Sequence, residues 1–195
     1  MASRLHKAKA EAAILSKARQ VDIESEGSHS EIQSWLRDLG SALGFDVWIA
    51  KNDRGRIFEG KPLGHGCMDD WPDHVSSQSY SDAVRLIDVL WFEKSSSKIA
   101  AAFEVEHSTS IYSGIIRMLD LVMVDLQRGP TANLYLVAPD GREDDVRKQI
   151  NRPAFSNISK LDICYLPYSE LAKHREQIAR FGSGLKAIRS IARKL

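Results

Sequence analysis

The sequence predicts an α/β fold: a mixed central β-sheet flanked by helices, with extra helices at the N- and C-termini. Three observations carry this expectation. Residues 84–92 (VRLIDVLWF) and 99–106 (IAAAFEVE) are nearly continuous apolar runs joined by a short turn of charged residues and serines. Such a pair reads as adjacent strands covered on both faces. Amphipathic stretches alternate with further short β-rich runs, giving helix, strand, strand, strand, helix, strand, helix, strand, helix.

Each element has a local reason. Residues 2–20 are Ala-rich, with Leu5, Ala8 and Ala12 at helical spacing. Residues 21–27 are polar, acidic and end in glycine, so they read as a linker. The expected division is an N-terminal helical extension and linker over 1–27 and one folded domain over 28–195. Ser28 and Glu31 have the form of a capping box, and Ile32, Trp35, Leu36 and Leu39 follow on one face. Gly40 and Gly44 close this helix. Residues 45–50 alternate as a strand does. Residues 51–81 show no clear periodicity and form a long irregular excursion. Residues 108–128 make the strongest helix, with Ile111, Ile115, Met118, Leu119, Val122 and Leu126 as its apolar stripe and Gly129-Pro130 as its stop. Strands follow at 133–138 and 161–166, with a short helix at 144–150 between them. From Tyr168 onward the chain reads as helix, broken at Gly182 and Gly184 before a basic terminal helix.

The 195 residues suit one domain with an extension, and no apolar run approaches the roughly 18 residues of a membrane-spanning helix. No membrane association is expected. The N-terminus lacks a continuous apolar segment of the secretory kind. Cys67 and Cys164 are too few and too far apart for a disulfide framework, so a reducing, cytoplasmic setting is expected. The net charge of +1 hides an asymmetry. Residues 1–20 carry five Lys/Arg and one Glu, and residues 172–195 carry seven and one, leaving 15 basic and 24 acidic residues on the body. Basic ends on an acidic body suit a polyanion held near carboxylates that need a cation. Two helices with solvated Lys/Arg faces would give the same count.

The carboxylates are the anomaly. Asp88 lies between Leu86-Ile87 and Val89-Leu90, and Glu104 follows five apolar residues. An ionised carboxylate in an apolar strand is costly unless it is paired or binds metal. With a side-chain period of two, Glu104 and Glu106 point to the same face. Three acids brought together repel one another, and a divalent cation resolves the repulsion. Their hard oxygens favour Mg²⁺ or Mn²⁺ over zinc. The alternative places Glu104 and Glu106 at an exposed strand end and pairs Asp88 with Arg85 or Arg117.

An Asp-bearing strand, a strand with Glu-x-Glu, then a helix and another strand, over about residues 28–166, resembles the PD-(D/E)xK nuclease superfamily. The resemblance implies a restriction-endonuclease-like core and a Mg²⁺-dependent DNA endonuclease in restriction or defence, with Mn²⁺ able to substitute. It implies Asp88, Glu104 and the Val105 carbonyl as metal ligands. Glu106 takes the position usually held by Lys and acts on the attacking water or a second metal. Glu31 matches an acid on the first helix that many members use near the metal. Ile87 replaces the usual Pro, and Glu106 replaces Lys; loss of that Lys also marks inactive, DNA-binding relatives, which is the competing function. Cutting two strands takes a dimer or two nicks, so DNA and a second copy of the chain are the implied partners. The helix over 2–20 is a candidate for dimerisation or DNA contact.

Neighbouring residues carry weaker signals. His107 is a candidate proton carrier, or a structural histidine at a strand end. Glu31 is already explained by its capping box. Arg117 is placed to balance the acids or grip phosphate. Trp71 and the basic residues Arg54, Arg56 and Lys61 make the long loop a candidate for DNA contact, and Arg152 is a further phosphate candidate. His65, Cys67 and His74 match no zinc template. Gly64-His65-Gly66 is no phosphate cradle, so no nucleotide cofactor is expected. A protein-interaction module without metal is the third reading.

Overall fold

The computed structural model describes residues 27–72, 81–96, 98–107, 111–125, 132–156 and 162–195. The expected helix over 2–20, the stop at Gly129-Pro130 and the candidate ligand His74 lie outside these residues. Among the described residues no helix is long and apolar enough to cross a membrane.

Helix α1 spans 27–42. It is followed by β1 (Asp46–Ile49), the two-residue strands β2 (Ile57–Phe58) and β3 (Lys61–Pro62), and the short helix α2 (Ser81–Val84). Then come β4 (Val89–Phe92), β5 (Ile99–Val105), α3 (Ile111–Asp125) and β6 (Asn133–Ala138). A 3₁₀ turn (Asp140–Arg142) leads into α4 (Glu143–Ile150) and α5 (Pro153–Ser156). The chain ends with β7 (Ile163–Pro167), α6 (Tyr168–Phe181), α7 (Gly184–Arg189) and β8 (Arg193–Lys194). The principal sheet runs β1-β4-β5-β6-β7-β8, and β2-β3 form a separate hairpin. β5-β6 and β6-β7 are parallel; β1-β4, β4-β5 and β7-β8 are antiparallel. The sheet is therefore mixed.

Each face of the sheet carries its own core. Leu90, Phe92, Ala102, Leu134 and Leu136 pack with Ile111, Ile115, Met118 and Val122 of α3. Val47, Val89, Trp91, Phe103, Tyr135 and Val137 pack with Ile32 and Leu36 of α1, Leu171 and Ile178 of α6, and Ile188 of α7. The alternation of a half-buried strand is thus buried on both sides, which is why β4 and β5 read as unbroken apolar runs. Gly40 lets α1 approach the sheet: a Cβ there would lie 2.5 Å from Trp91 Nε1. Trp91 Nε1 in turn donates to Leu36 O at 3.1 Å. Gly44 takes φ 88°, and Phe45 N–H donates to Gly40 O at 2.9 Å, closing the helix.

Four expectations are corrected in detail. Residue 27 is already helical, so Ser28 stands inside α1 rather than ahead of its first turn. Residues 84–92 are not one strand: α2 ends at Val84, a turn follows, and β4 begins at Val89. Asp88 therefore precedes its strand. In α3 the buried stripe uses Leu121 in place of Leu119. The last expected strand runs Ile163–Pro167 rather than 161–166.

Candidate metal and acid–base site

Three strand ends meet at one end of the sheet, along its β1-β4-β5 side. Val89 pairs with Ile49 on one side and with Phe103 on the other. This brings together the exit of β1, the entry of β4 and the exit of β5. The Ala50 amide donates to Asp88 O at 3.0 Å, and the Asp53 amide donates to Ala50 O at 2.9 Å, folding the loop after β1 back over this end. Ligand sites of open α/β sheets gather at the carboxyl ends of their parallel strands, and β5 is one of these.

Asp88, Glu104 and Glu106 are all buried here. Asp88 Oδ2 accepts the Val105 amide at 2.7 Å. The Val105 carbonyl leaves the strand on the same side as its amide, toward Asp88. Glu104 is fully buried in β5 and is gripped through both oxygens by Arg117 of α3, at 2.7 and 2.5 Å. Glu106 lies just beyond β5, where its amide still donates to Val137 O at 2.8 Å. Gly114 of α3 marks the shared face: a Cβ there would meet Glu106 Oε1 at 2.9 Å and Glu104 Cβ and Cγ at 3.3 Å. Burial, and then the Asp88 carboxylate, push Glu104 above its ordinary value against the pull of Arg117. The same two causes push Glu106 up to about 7. The Arg117 guanidinium is held further above its ordinary value by the hydrogen bond to Glu104.

A second group adjoins this one. His29 Nε2 stands 3.5 Å from Asp88 Oδ1 and 3.8 Å from Asp53 Oδ2. Gln33, one turn along α1, donates through Nε2 to Asp53 Oδ2 at 2.8 Å, and Arg56 Nε lies 3.0 Å from Asp53 Oδ1. Burial opposes the charge on His29, but hydrogen bonds to Asp53 and Asp88 raise it to about 10. Burial likewise works against the Asp53 carboxylate; hydrogen bonds from His29 and Gln33, and the charge of Arg56, keep it below its ordinary value.

The structure thus places Asp88, Glu104, Val105, Glu106 and Arg117 together. Glu31 lies on α1 but is not part of the His29–Asp53–Asp88 group. His107 follows Glu106; its carbonyl accepts Arg142 Nη1 at 3.0 Å, and its buried Nδ1 has no hydrogen-bond partner among the described residues. Among the candidate DNA contacts, Arg54 donates to Met68 O at 2.6 Å and stacks 4.7 Å over Trp48, so it braces the loop. Arg56 turns to Asp53, Lys61 is exposed on β3, and Arg152 donates to Gln149 Oε1 at 3.1 Å. Sequence reasoning missed His29, Asp53 and Gln33. The spacing of His29 and Gln33, four residues apart on one helix face, was a usable signal; Asp53 offered none.

The chain matches the family of the type II restriction enzyme NmeDI C-terminal domain over residues 11–187. Among curated proteins, the type II restriction enzyme NmeDI of Neisseria meningitidis serogroup C is 38% identical over 159 residues. The matched region covers 77% of this chain and 43% of that relative, so the chain spans less than half of the relative's length. No solved structure matches the chain significantly. With its buried acids at one end of the sheet and a family match over most of its length, the chain belongs to the NmeDI C-terminal-domain family of type II restriction enzymes.

Proposed function

We propose that this chain is a metal-dependent DNA endonuclease of restriction type, with a PD-(D/E)xK-like centre that hydrolyses phosphodiester bonds. The observation that carries the reading is the convergence of buried Asp88, Glu104 and Glu106 at the exit of β5, in a chain of a type II restriction-enzyme family. The donor set fits a hard divalent cation. It offers carboxylate oxygens and a backbone carbonyl, and burial together with the neighbouring acids disfavours the charged forms of Glu104 and Glu106 without added positive charge.

Asp88, Glu104 and the Val105 carbonyl would hold Mg²⁺ or Mn²⁺. Such a cation supplies polarisation of the scissile phosphate and a more acidic bound water. The protein's own groups do the rest. The Val105 amide and Arg117 orient the Asp88 and Glu104 carboxylates. Each oxygen held by Arg117 keeps a further lone pair. Glu106, on the same face and with no ion-pair partner among the described residues, is the group placed to take a proton from the attacking water. His107 and Glu31 are secondary candidates for this proton traffic. Lys61 and Arg152 are proposed to meet the DNA backbone while Arg54 and Arg56 hold the loop that presents Lys61, and two copies of the chain supply two centres for a double-strand cut.

The test is cleavage of supercoiled plasmid with Mg²⁺, Mn²⁺, Ca²⁺ or EDTA, by the wild type, Asp88→Asn and Glu104→Gln. Cleavage with Mg²⁺ or Mn²⁺ that both variants lose supports the reading. Cleavage that survives both overturns the site. Salt-sensitive DNA binding with no cleavage in any metal would make the chain a non-catalytic binding module instead.

A further inference from the structure

The group formed by His29, Asp53 and Asp88 is not the acid triad of β4 and β5. It joins α1, the loop after β1 and the entry of β4, and shares only Asp88 with the proposed nuclease centre. One ligand atom from each of its three residues lies within 4.8 Å of the others. The contacts of 3.5 and 3.8 Å from His29 Nε2 are long for a charge-assisted hydrogen bond, which closes to about 2.7–2.9 Å. They lie near the edges of a coordination polyhedron: metal–ligand bonds of about 2.1 Å place adjacent donors about 3.0–3.4 Å apart. Loss of the Nε2 proton to solvent and closure of these contacts, with the Asp53 and Asp88 oxygens drawn in from a separation of up to 4.8 Å, converts one arrangement into the other.

The carboxylates are already anchored for this. Asp53 is tied through Oδ1 to Arg56, and Asp88 through Oδ2 to the Val105 amide. Each turns its other oxygen toward His29. Outer contacts of this kind fix the orientation of metal ligands.

Gln33 supplies a second, independent observation. It is fully buried, and its Nε2 touches Asp53 Oδ2, while Oε1 of the same amide is buried with no hydrogen-bond partner among the described residues. With Nε2 fixing this amide against Asp53, the unmatched Oε1 is an available fourth donor. No pairing of His29 with the two aspartates accounts for it.

We propose that His29, Asp53 and Asp88, with Gln33 Oε1, form a binding site for a divalent transition-metal cation of the Mn²⁺, Co²⁺ or Zn²⁺ class. An imidazole nitrogen among oxygens selects these ions over Mg²⁺ and Ca²⁺, which favour all-oxygen shells. The site's role rests on the nuclease reading, because sharing Asp88 sets this cation beside the proposed phosphate-binding metal. The binding itself is read without any cleavage.

The experiment measures Mn²⁺ binding to the full chain by calorimetry, in a Glu104→Gln background that weakens the β5 site. The folded Glu104→Gln chain binds one Mn²⁺, and adding His29→Ala or Asp53→Asn weakens that binding at least tenfold. Binding that is absent from Glu104→Gln, or equal with and without His29, overturns the proposal. Should the double variants fail to fold, wild-type crystals soaked in Mn²⁺ decide the question by anomalous scattering. A peak within about 2.5 Å of His29 Nε2 supports the site, and its absence there overturns it. Plasmid cleavage scores the nuclease reading separately: Mn²⁺ bound at His29 without cleavage refutes that reading and leaves this one standing.

Discussion

Arg117 holds both oxygens of Glu104, Nε to Oε1 at 2.7 Å and Nη2 to Oε2 at 2.5 Å, and so ties α3 to the middle of the sheet. Glu104 has no solvent exposure, so this pairing is the main compensation for a carboxylate inside the core. Removing one partner of a buried ion pair strands the other. Arg117→Met is expected to cost about 3–5 kcal/mol of stability in urea unfolding. Adding Glu104→Gln to it recovers part of that loss, because the stranded charge is gone. Strictly additive single and double variants would show that the pair is not coupled.

Gly114 is the point where α3 allows the acids their space. Gly to Ala within a helix ordinarily gains up to about 1 kcal/mol. Here the new methyl would lie 2.9 Å from Glu106 Oε1 and 3.3 Å from Glu104 Cβ, so the two carboxylates must shift. Gly114→Ala is expected to change stability by about 1 kcal/mol or less while reducing metal-dependent plasmid cleavage at least tenfold, a displacement effect of about an ångström. Unchanged cleavage would place the catalytic contacts away from this face.

The sheet and its acids were legible because their signals are local. An acid inside VRLIDVLWF or IAAAFEVE has no inexpensive place to go, so Asp88 and Glu104 announced themselves. The first half of the former run was misread because apolar composition does not separate a turn from a strand. Val84 and Ile87 are buried while Leu86 is exposed, a spacing of three that belongs to a helix end and turn. His29 and Asp53 were invisible for another reason. Asp53 meets Asp88 through the antiparallel register of Ile49 with Val89, and His29 meets it through the packing of α1 on that sheet face, both contacts between segments far apart in the chain. The strands β2, β3 and β8 have two residues each, too few to show a period.

Gly40 carries a stability prediction that needs no reference to the site. A methyl there would meet Trp91 Nε1 at 2.5 Å and Val47 Cγ2 at 2.7 Å, neither of them the end of a flexible chain. α1 must retreat, and the Trp91 bond to Leu36 O lengthens or breaks. Gly40→Ala is expected to destabilise the chain by about 2–3 kcal/mol. A change in tryptophan fluorescence should accompany the loss. A variant as stable as wild type would mean that α1 does not pack this closely in solution.

Asp140 caps a helix to which it does not belong. α6 begins after Pro167, which offers no side-chain cap, and the Ser169 amide instead donates to Asp140 Oδ2 at 3.2 Å. The Ser169 hydroxyl donates to Oδ1 of the same carboxylate. These bonds, the hydroxyl's first, hold the Asp140 carboxyl below its ordinary value of 3.8. A depressed acid stabilises the fold above its unfolded value and loses that contribution as the pH falls through its folded one. The group is largely exposed, so solvent screening reduces the effect, and Asp140→Ala is expected to cost about 0.5–1 kcal/mol at neutral pH. The difference from wild type should shrink as the pH falls below 3.8 and through the lower folded value, with Asp140→Asn falling between the two at neutral pH. Urea unfolding of the three proteins at pH 7 and in acid checks the sign. A gap between wild type and Asp140→Ala that widens on acidification would show that this carboxylate stabilises the helix in its protonated form.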